Sequence, residues 1–223
     1  MSVFWLVLSL AAAGANWFAV RRNNKLRAYI TKPAVILVLI VWTITASGWR
    51  GDMLWFGFAL VFSLAGDILL MLPPRWFVGG LLGFLCAHIC YLVGFNSSAN
   101  PIPQDTFLYF APVGLISFFI GKRINQALPP ASLGKLRYLI LIYSVVVGLM
   151  FYSALNTLLR PDWQNTAALM ASAGAASFLV SDVLLAYDRF IQPLQNARLI
   201  VRITYHLGQI TLAAAALAHF NFL

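Results

Sequence analysis

The sequence predicts an all-α, polytopic membrane protein: eight transmembrane helices in a single domain over residues 1–223. Composition is the first reason. Of the 223 residues 61% are hydrophobic and only 9% charged, and mean hydropathy is +0.84. A water-soluble domain of this size could not cover itself with so few charges. The second reason is the spacing of apolar runs, at about 2–20, 34–49, 53–72, 77–95, 107–121, 138–156, 166–187 and 199–222. Most approach the roughly 20 residues that cross a bilayer core. The longest connection, about 16 residues, leaves no room for a soluble domain. The third reason is the placement of the basic residues between those runs.

Residues 3–20 could be mistaken for a secretory signal, because Ala11-Ala12-Ala13-Gly14-Ala15 looks like a cleavage region. A signal peptide carries its positive charge ahead of the apolar core. Here Arg21, Arg22, Lys25 and Arg27 follow it, which makes the run a first membrane helix with its N-terminus outside. Lys32-Pro33 opens the second run, which is short. The third ends soon after Ala65-Gly66-Asp67-Ile68-Leu69-Leu70. In the fourth, Phe77, Gly80, Phe84, His88 and Tyr91 recur at three- and four-residue steps and form one stripe. Cys86 and Cys90, the two cysteines, lie on a different face of that helix from His88. Disulfide geometry is poor along one helix turn, so they read as small packing residues.

The fifth run is short and contains Pro112; the sixth is plainly apolar. The seventh repeats the signature of the third as Val180-Ser181-Asp182-Val183-Leu184-Leu185. The eighth carries a polar stripe of Arg198, Arg202, Tyr205, His206 and Gln209. Its two arginines read as snorkelling topology signals.

With the N-terminus outside and eight spans, the inside segments hold every Lys and Arg except Arg50 and Arg160, thirteen of fifteen. Losing one span midway would destroy that asymmetry, which is the signature of cytoplasmic loops. The expected location is a bacterial inner (plasma) membrane, multi-pass, with both termini outside the cytoplasm. The net charge of +9 is therefore topogenic, and nucleic acid is not an expected partner. The bilayer is.

Asp67 and Asp182 are two of only six acidic residues, all of them Asp. A carboxylate in hydrocarbon costs roughly 2.5–3.5 kcal/mol on insertion scales, so intramembrane acids are functional candidates by default. A structural role, hydrogen-bonded to Ser63 or paired with a cation such as Lys32, is the alternative. Both helices run inward, and each aspartate lies about five residues before its apolar run ends, roughly 8 Å below the boundary. His206 shares that depth and His88 lies deeper. If the carboxylates are close, they cannot both ionise readily, which yields an acid and a base in one site. Asp67 precedes His88 by 21 residues and Asp182 precedes His206 by 24, as in two parallel four-helix repeats. No His/Cys/Asp set has zinc-ligand spacing, and neither a Gly-rich phosphate loop nor a Gly-x-Ser-x-Gly elbow is present. No metal or other cofactor is expected.

Lys32-Pro33, Gly66-Asp67, the Phe77/Gly80/Phe84/His88/Tyr91 stripe, Ser181-Asp182 and Tyr205-x-x-x-Gln209 together resemble the YhhN family of membrane proteins, from about residue 30 to 215. Animal members of that family are lysoplasmalogenases. The resemblance implies an eight-helix fold, catalytic aspartates at Asp67 and Asp182, and a lysophospholipid substrate bound among Lys32, His88, Tyr91, Tyr205, His206 and Gln209. His206 stands where the family pattern has an aromatic residue, usually Tyr. The implied reaction is hydrolysis of a vinyl ether to a fatty aldehyde, which acid–base chemistry can perform. Two other uses of membrane aspartates stay open at this point. A proton-coupled transporter fits the repeat. An intramembrane aspartyl protease fits less well, because Leu64-Ala65-Gly66-Asp67 stands where Gly-x-Gly-Asp would be required.

The charge pattern is directly testable. Reporter fusions at residue 223 and within residues 125–132 should report opposite sides of the membrane; matching signals would mean that a helix is miscounted.

Overall fold

The computed structural model describes residues 2–97, 107–127 and 135–223, and among these the long elements are all α-helices. They are α1 (Ser2–Arg21), α2 (Lys25–Ser47), α3 (Met53–Met71), α4 (Phe77–Asn96), α5 (Phe107–Ala127), α6 (Lys135–Asn156), α7 (Asn165–Phe190) and α8 (Ala197–His219). Each covers one of the eight apolar runs. Among the described residues, seven of these helices are long and apolar enough to cross a membrane. Their outward faces expose large apolar side chains, among them Phe4, Leu26, Val145 and Leu169. Apolar surface on this scale belongs against lipid, and the chain is an integral multi-pass membrane protein.

Helices α2 and α7 overrun their apolar runs at the polar ends, and this corrects one expectation. Asn24 caps α2 by accepting a hydrogen bond from the Arg27 amide at 3.0 Å, so the helix starts upstream of its apolar run. Lys32-Pro33 therefore lies well inside α2 and does not open it. At the other end Gly48, at φ +60°, closes the helix with its amide bonded to the Ile44 carbonyl at 2.8 Å, the left-handed position that glycine adopts without strain. Helix α7 likewise continues through Tyr187, Asp188 and Arg189 to Phe190. Asp182 therefore sits eight residues from the end of α7, whereas Asp67 sits four from the end of α3. Measured from their helix ends the two acids differ by four residues, roughly 6 Å of rise.

Two helix pairs pack closest, α3 on α4 and α7 on α8. In each, glycine lets backbones touch. A methyl group on Gly83 would stand 2.9 Å from the Gly66 amide nitrogen, and one on Gly208 3.0 Å from the Gly174 carbonyl oxygen. Such small-residue contacts are the usual way membrane helices approach. Helix α8 is the central element: Tyr205, His206, Gln209 and the run from Leu212 to Leu217 are all buried, against α1, α2, α3 and α7. Helix α5 lies at the periphery, packed on α6 and touching α7.

Gly83→Ala should therefore destabilise the protein by about 1–3 kcal/mol, the range for an added carbon in a tight core. Gly114→Ala, where a methyl would meet nothing within 4 Å, should leave stability unchanged. Thermal melting in detergent reads both.

Candidate functional site

The polar residues that the sequence singles out gather at two places. The first is built around Asp67, which is fully buried. Lys32 on α2 brings its Nζ to 2.7 Å from Asp67 Oδ1, and the Tyr205 hydroxyl on α8 donates to Oδ2 at 2.9 Å. The ammonium also lies 5.7 Å from the centre of the Tyr205 ring. One turn earlier on α3, Ser63 accepts from Gln209 Nε2 at 2.9 Å, and Tyr91 donates to Gln209 Oε1 at 2.6 Å. Ser63 thus bonds Gln209 and not Asp67. Lys32, Asp67, Tyr91, Tyr205 and Gln209 lie together in an interior with very little exposure.

The second place is built around Asp182. His88 Nε2 on α4 stands 2.9 Å from Asp182 Oδ2, and the Tyr143 hydroxyl on α6 donates to the same oxygen at 2.8 Å. Imidazole and phenol are 3.1 Å apart, closing a triangle of three titratable groups. Both bonds fall on Oδ2, and the carboxylate is about one-eighth exposed. That exposure faces a cavity of about 70 Å³ bounded by α4, α5, α6 and α7. Phe77 and Phe84 wall the cavity, and Arg189, two turns beyond Asp182 on α7, also lines it. The Arg189 guanidinium rests 3.8 Å from the centre of the Phe77 ring, which holds the charge at the end where α7 finishes and α4 begins.

No hydrogen bond joins the two aspartates to each other. The link between them runs through rings: Tyr205 to Phe178 at 5.4 Å between centroids, then Phe178 to His88 at 4.6 Å. His206 bonds to neither acid. Its Nδ1 accepts from Trp17 Nε1 on α1 at 3.1 Å, and its Nε2 is buried without a hydrogen-bond partner. Arg202, expected to snorkel, donates instead to Asn16 Oδ1 at 3.0 Å and to the Ala28 carbonyl at 3.2 Å. The short amide of Asn16 on α1 and a backbone carbonyl of α2 capture it. His219, at the far end of α8, is stacked on Trp163 at 3.8 Å.

Tyr143 is the member of the site that sequence reading missed. A tyrosine in an apolar run is unremarkable by composition. One signal was available: Tyr143 is eight residues into α6 and Asp182 eight from the end of α7, so the two share a level. Among the described residues no group of three or more His, Cys, Asp or Glu gathers as metal ligands would.

The model of the YhhN family matches residues 27–216. The chain belongs to the YhhN family. Human lysoplasmalogenase TMEM86A is 31% identical to this YhhN chain over 160 residues, covering 70% of the chain and 62% of the relative. Mouse lysoplasmalogenase TMEM86B is 30% identical over 203 residues, 90% of this chain and 80% of the relative. For human TMEM86B the figures are 28% over 186 residues, 83% and 72%. The chain thus spans less than two thirds of the length of the human TMEM86A that it matches. No solved structure matches it.

Burial of the first cluster sets an expectation. Asp67→Asn leaves the Lys32 ammonium without its anion, which should cost about 3–5 kcal/mol. Adding Lys32→Met should recover part of that loss. Melting of both single variants and the double in detergent measures the coupling, and additive losses would mean that the pair does not act as one.

Proposed function

We propose that this YhhN chain is a membrane-embedded hydrolase that cleaves the vinyl ether of a lysoplasmalogen, releasing a fatty aldehyde. The observation that carries the reading is the triangle of Asp182, His88 and Tyr143 at an apolar cavity whose other charged lining group is Arg189. Membership of a family whose similar members are named lysoplasmalogenases supports the substrate class. The cavity offers one acid at depth and one cation at its end, which suits a single-chain lipid with an anionic head. Arg189 takes the phosphate, and the ether reaches Asp182. In this reading the two four-helix halves are parallel repeats, all eight helices cross the membrane, and the cavity opens inward. Contacts support the repeat: α2–α3 is matched by α6–α7, and α2–α8 by α4–α6.

Vinyl ether hydrolysis begins with a proton delivered to the alkenyl carbon farther from oxygen. This leaves an oxocarbenium ion at the carbon next to the oxygen. Water adds there, and the hemiacetal collapses to aldehyde and the glycerol hydroxyl. Asp182 delivers the proton from the cluster. Its carboxylate then faces the cation, where a negative charge is worth most in a dry site. The proton released by the attacking water returns to Asp182, whose Oδ2 shares it with His88 Nε2 across their 2.9 Å contact, so the cluster ends as it began. Tyr143 fixes the carboxylate through Oδ2 during both steps.

Asp67 contributes differently. Already bonded to Lys32 and Tyr205, it holds the Tyr205 ring 5.6 Å from Phe84, a wall of the cavity. In this reading Lys32, Tyr205, Tyr91 and Gln209 shape the site from behind, and a single acid with a histidine performs the chemistry.

Purified protein in detergent should release aldehyde from a lysoplasmalogen with no ion gradient, which a carrier could not do, and should continue in strong chelator. Asp182→Asn should lose about 10²-fold or more of the rate, the scale of general acid–base catalysis, at unchanged melting temperature. Retention of about a tenth of the wild-type rate would remove Asp182 from the chemistry.

A further inference from the structure

The cavity beside Asp182 holds about 70 Å³. That accommodates an ether and a water but no fatty chain; pockets that bury organic ligands run to about 300–1,000 Å³. A larger space adjoins it. Between α5 and α6 lies a groove of about 620 Å³, walled by Val113, Gly114, Gly148 and Leu149, with Lys122 toward one end. Ser117 and Ser144 line both spaces.

We propose that the α5–α6 groove seats the hydrocarbon chain of the single-chain anionic lipid, which passes between Ser117 and Ser144 and presents its head end to Asp182. The assignment rests on the hydrolase reading for the identity of the lipid. The wall between the two spaces is made of small residues. A methyl on Gly148 would come within 2.5 Å of Ser117 Oγ, and one on Gly121 within 3.6 Å of Ser144. Glycine–serine contacts interdigitate no large side chains, so the seam can part without breaking a packed core. Around it the surface is apolar, with Leu115, Phe118 and Phe119 each more than half exposed.

Charge fixes the direction of the chain. Lys122 lies in the C-terminal half of α5 and Arg189 in the last turn of α7, so the phosphate of a lipid head is matched there. The chain must therefore point the other way along α5, from Lys122 toward Gly114. Those two are eight residues apart, roughly 12 Å of helix rise. Gly114 lies at the distal part of the groove, with open space where a side chain would go.

Filling the distal groove tests this. Gly114→Trp should lower kcat/KM for a 1-octadecenyl lysolipid by about tenfold or more while a 1-octenyl analogue stays within about twofold, since lost apolar contacts of this size are worth 10–200-fold. Equal loss on both lipids, or no change on either, overturns the proposal. A second measurement needs no turnover. A non-cleavable 1-octadecyl lysolipid with a photoreactive diazirine at the chain terminus should label α5 and α6 around Gly114 and Leu149 in the wild-type protein. Labelling elsewhere overturns it, as does equal protection by a diacyl phospholipid, which would give the groove to bulk bilayer lipid. Labelling in the groove without aldehyde release would overturn the hydrolase reading and leave the groove. Aldehyde release with labelling elsewhere would overturn the groove alone.

Discussion

Lys32 and Asp67 are both withdrawn from solvent, the lysine to 12% exposure and the aspartate completely, and neither could be there alone. An unpaired buried charge costs several kcal/mol, and attraction offsets this only where geometry is close and the remaining lone pairs are satisfied. The 2.7 Å ion pair and the Tyr205 hydroxyl meet both conditions. Because the three groups come from α2, α3 and α8, the pair fixes how these helices stand to one another. Tyr205 then sets Phe84 and Phe178 by ring contacts of 5.6 and 5.4 Å, and Phe178 sets His88. A requirement of charge neutrality in one place is thereby passed through aromatic packing to the place where Asp182 meets its cavity.

The same economy of space appears in the backbone contacts. Gly66 precedes Asp67, and its amide lies where a methyl on Gly83 would fall. Close approach of α3 and α4 at that level leaves no room for water beside the carboxylate. The equivalent closure of α7 on α8 is made at Gly174 and Gly208, a full two turns away from Asp182. The acid that is sealed and the acid that meets a cavity thus differ in where the glycines fall.

Much of this was legible in the sequence. Apolar runs separated by basic residues give eight helices because hydrocarbon tolerates no unsatisfied backbone. The acids, His88, Lys32, Tyr205 and Gln209 are conspicuous because polar groups in such runs are costly. Three features escaped. The ends of α2 and α7 lie in polar sequence, where capping and interface residues extend a helix past its apolar stretch, and this placed Lys32-Pro33 at a helix start when it lies inside α2. Tyr143 carries a hydroxyl on a large apolar ring and so does not interrupt a run. The partner of His206 was hidden because Trp17, like Tyr143, counts as apolar until its single donor is seen to be spent. The sequence shows which groups are expensive to bury; it does not show which ones bury each other.

Each aspartate takes one bond from a helix on the other side of the connection between α4 and α5: Asp67 from Tyr205, Asp182 from His88. This bears on the order in which the chain enters the bilayer during synthesis. Asp67 arrives with α3, five helices before Tyr205, and in that interval its charge is countered by Lys32, already delivered with the preceding helix. Asp182 has no neighbouring cation but comes late, when His88 and Tyr143 are both in place to receive it. The early acid carries its own counter-ion, and the late one is met by a prepared pair of hydrogen-bonding partners, so at no stage of insertion does either carboxylate wait unpartnered in lipid.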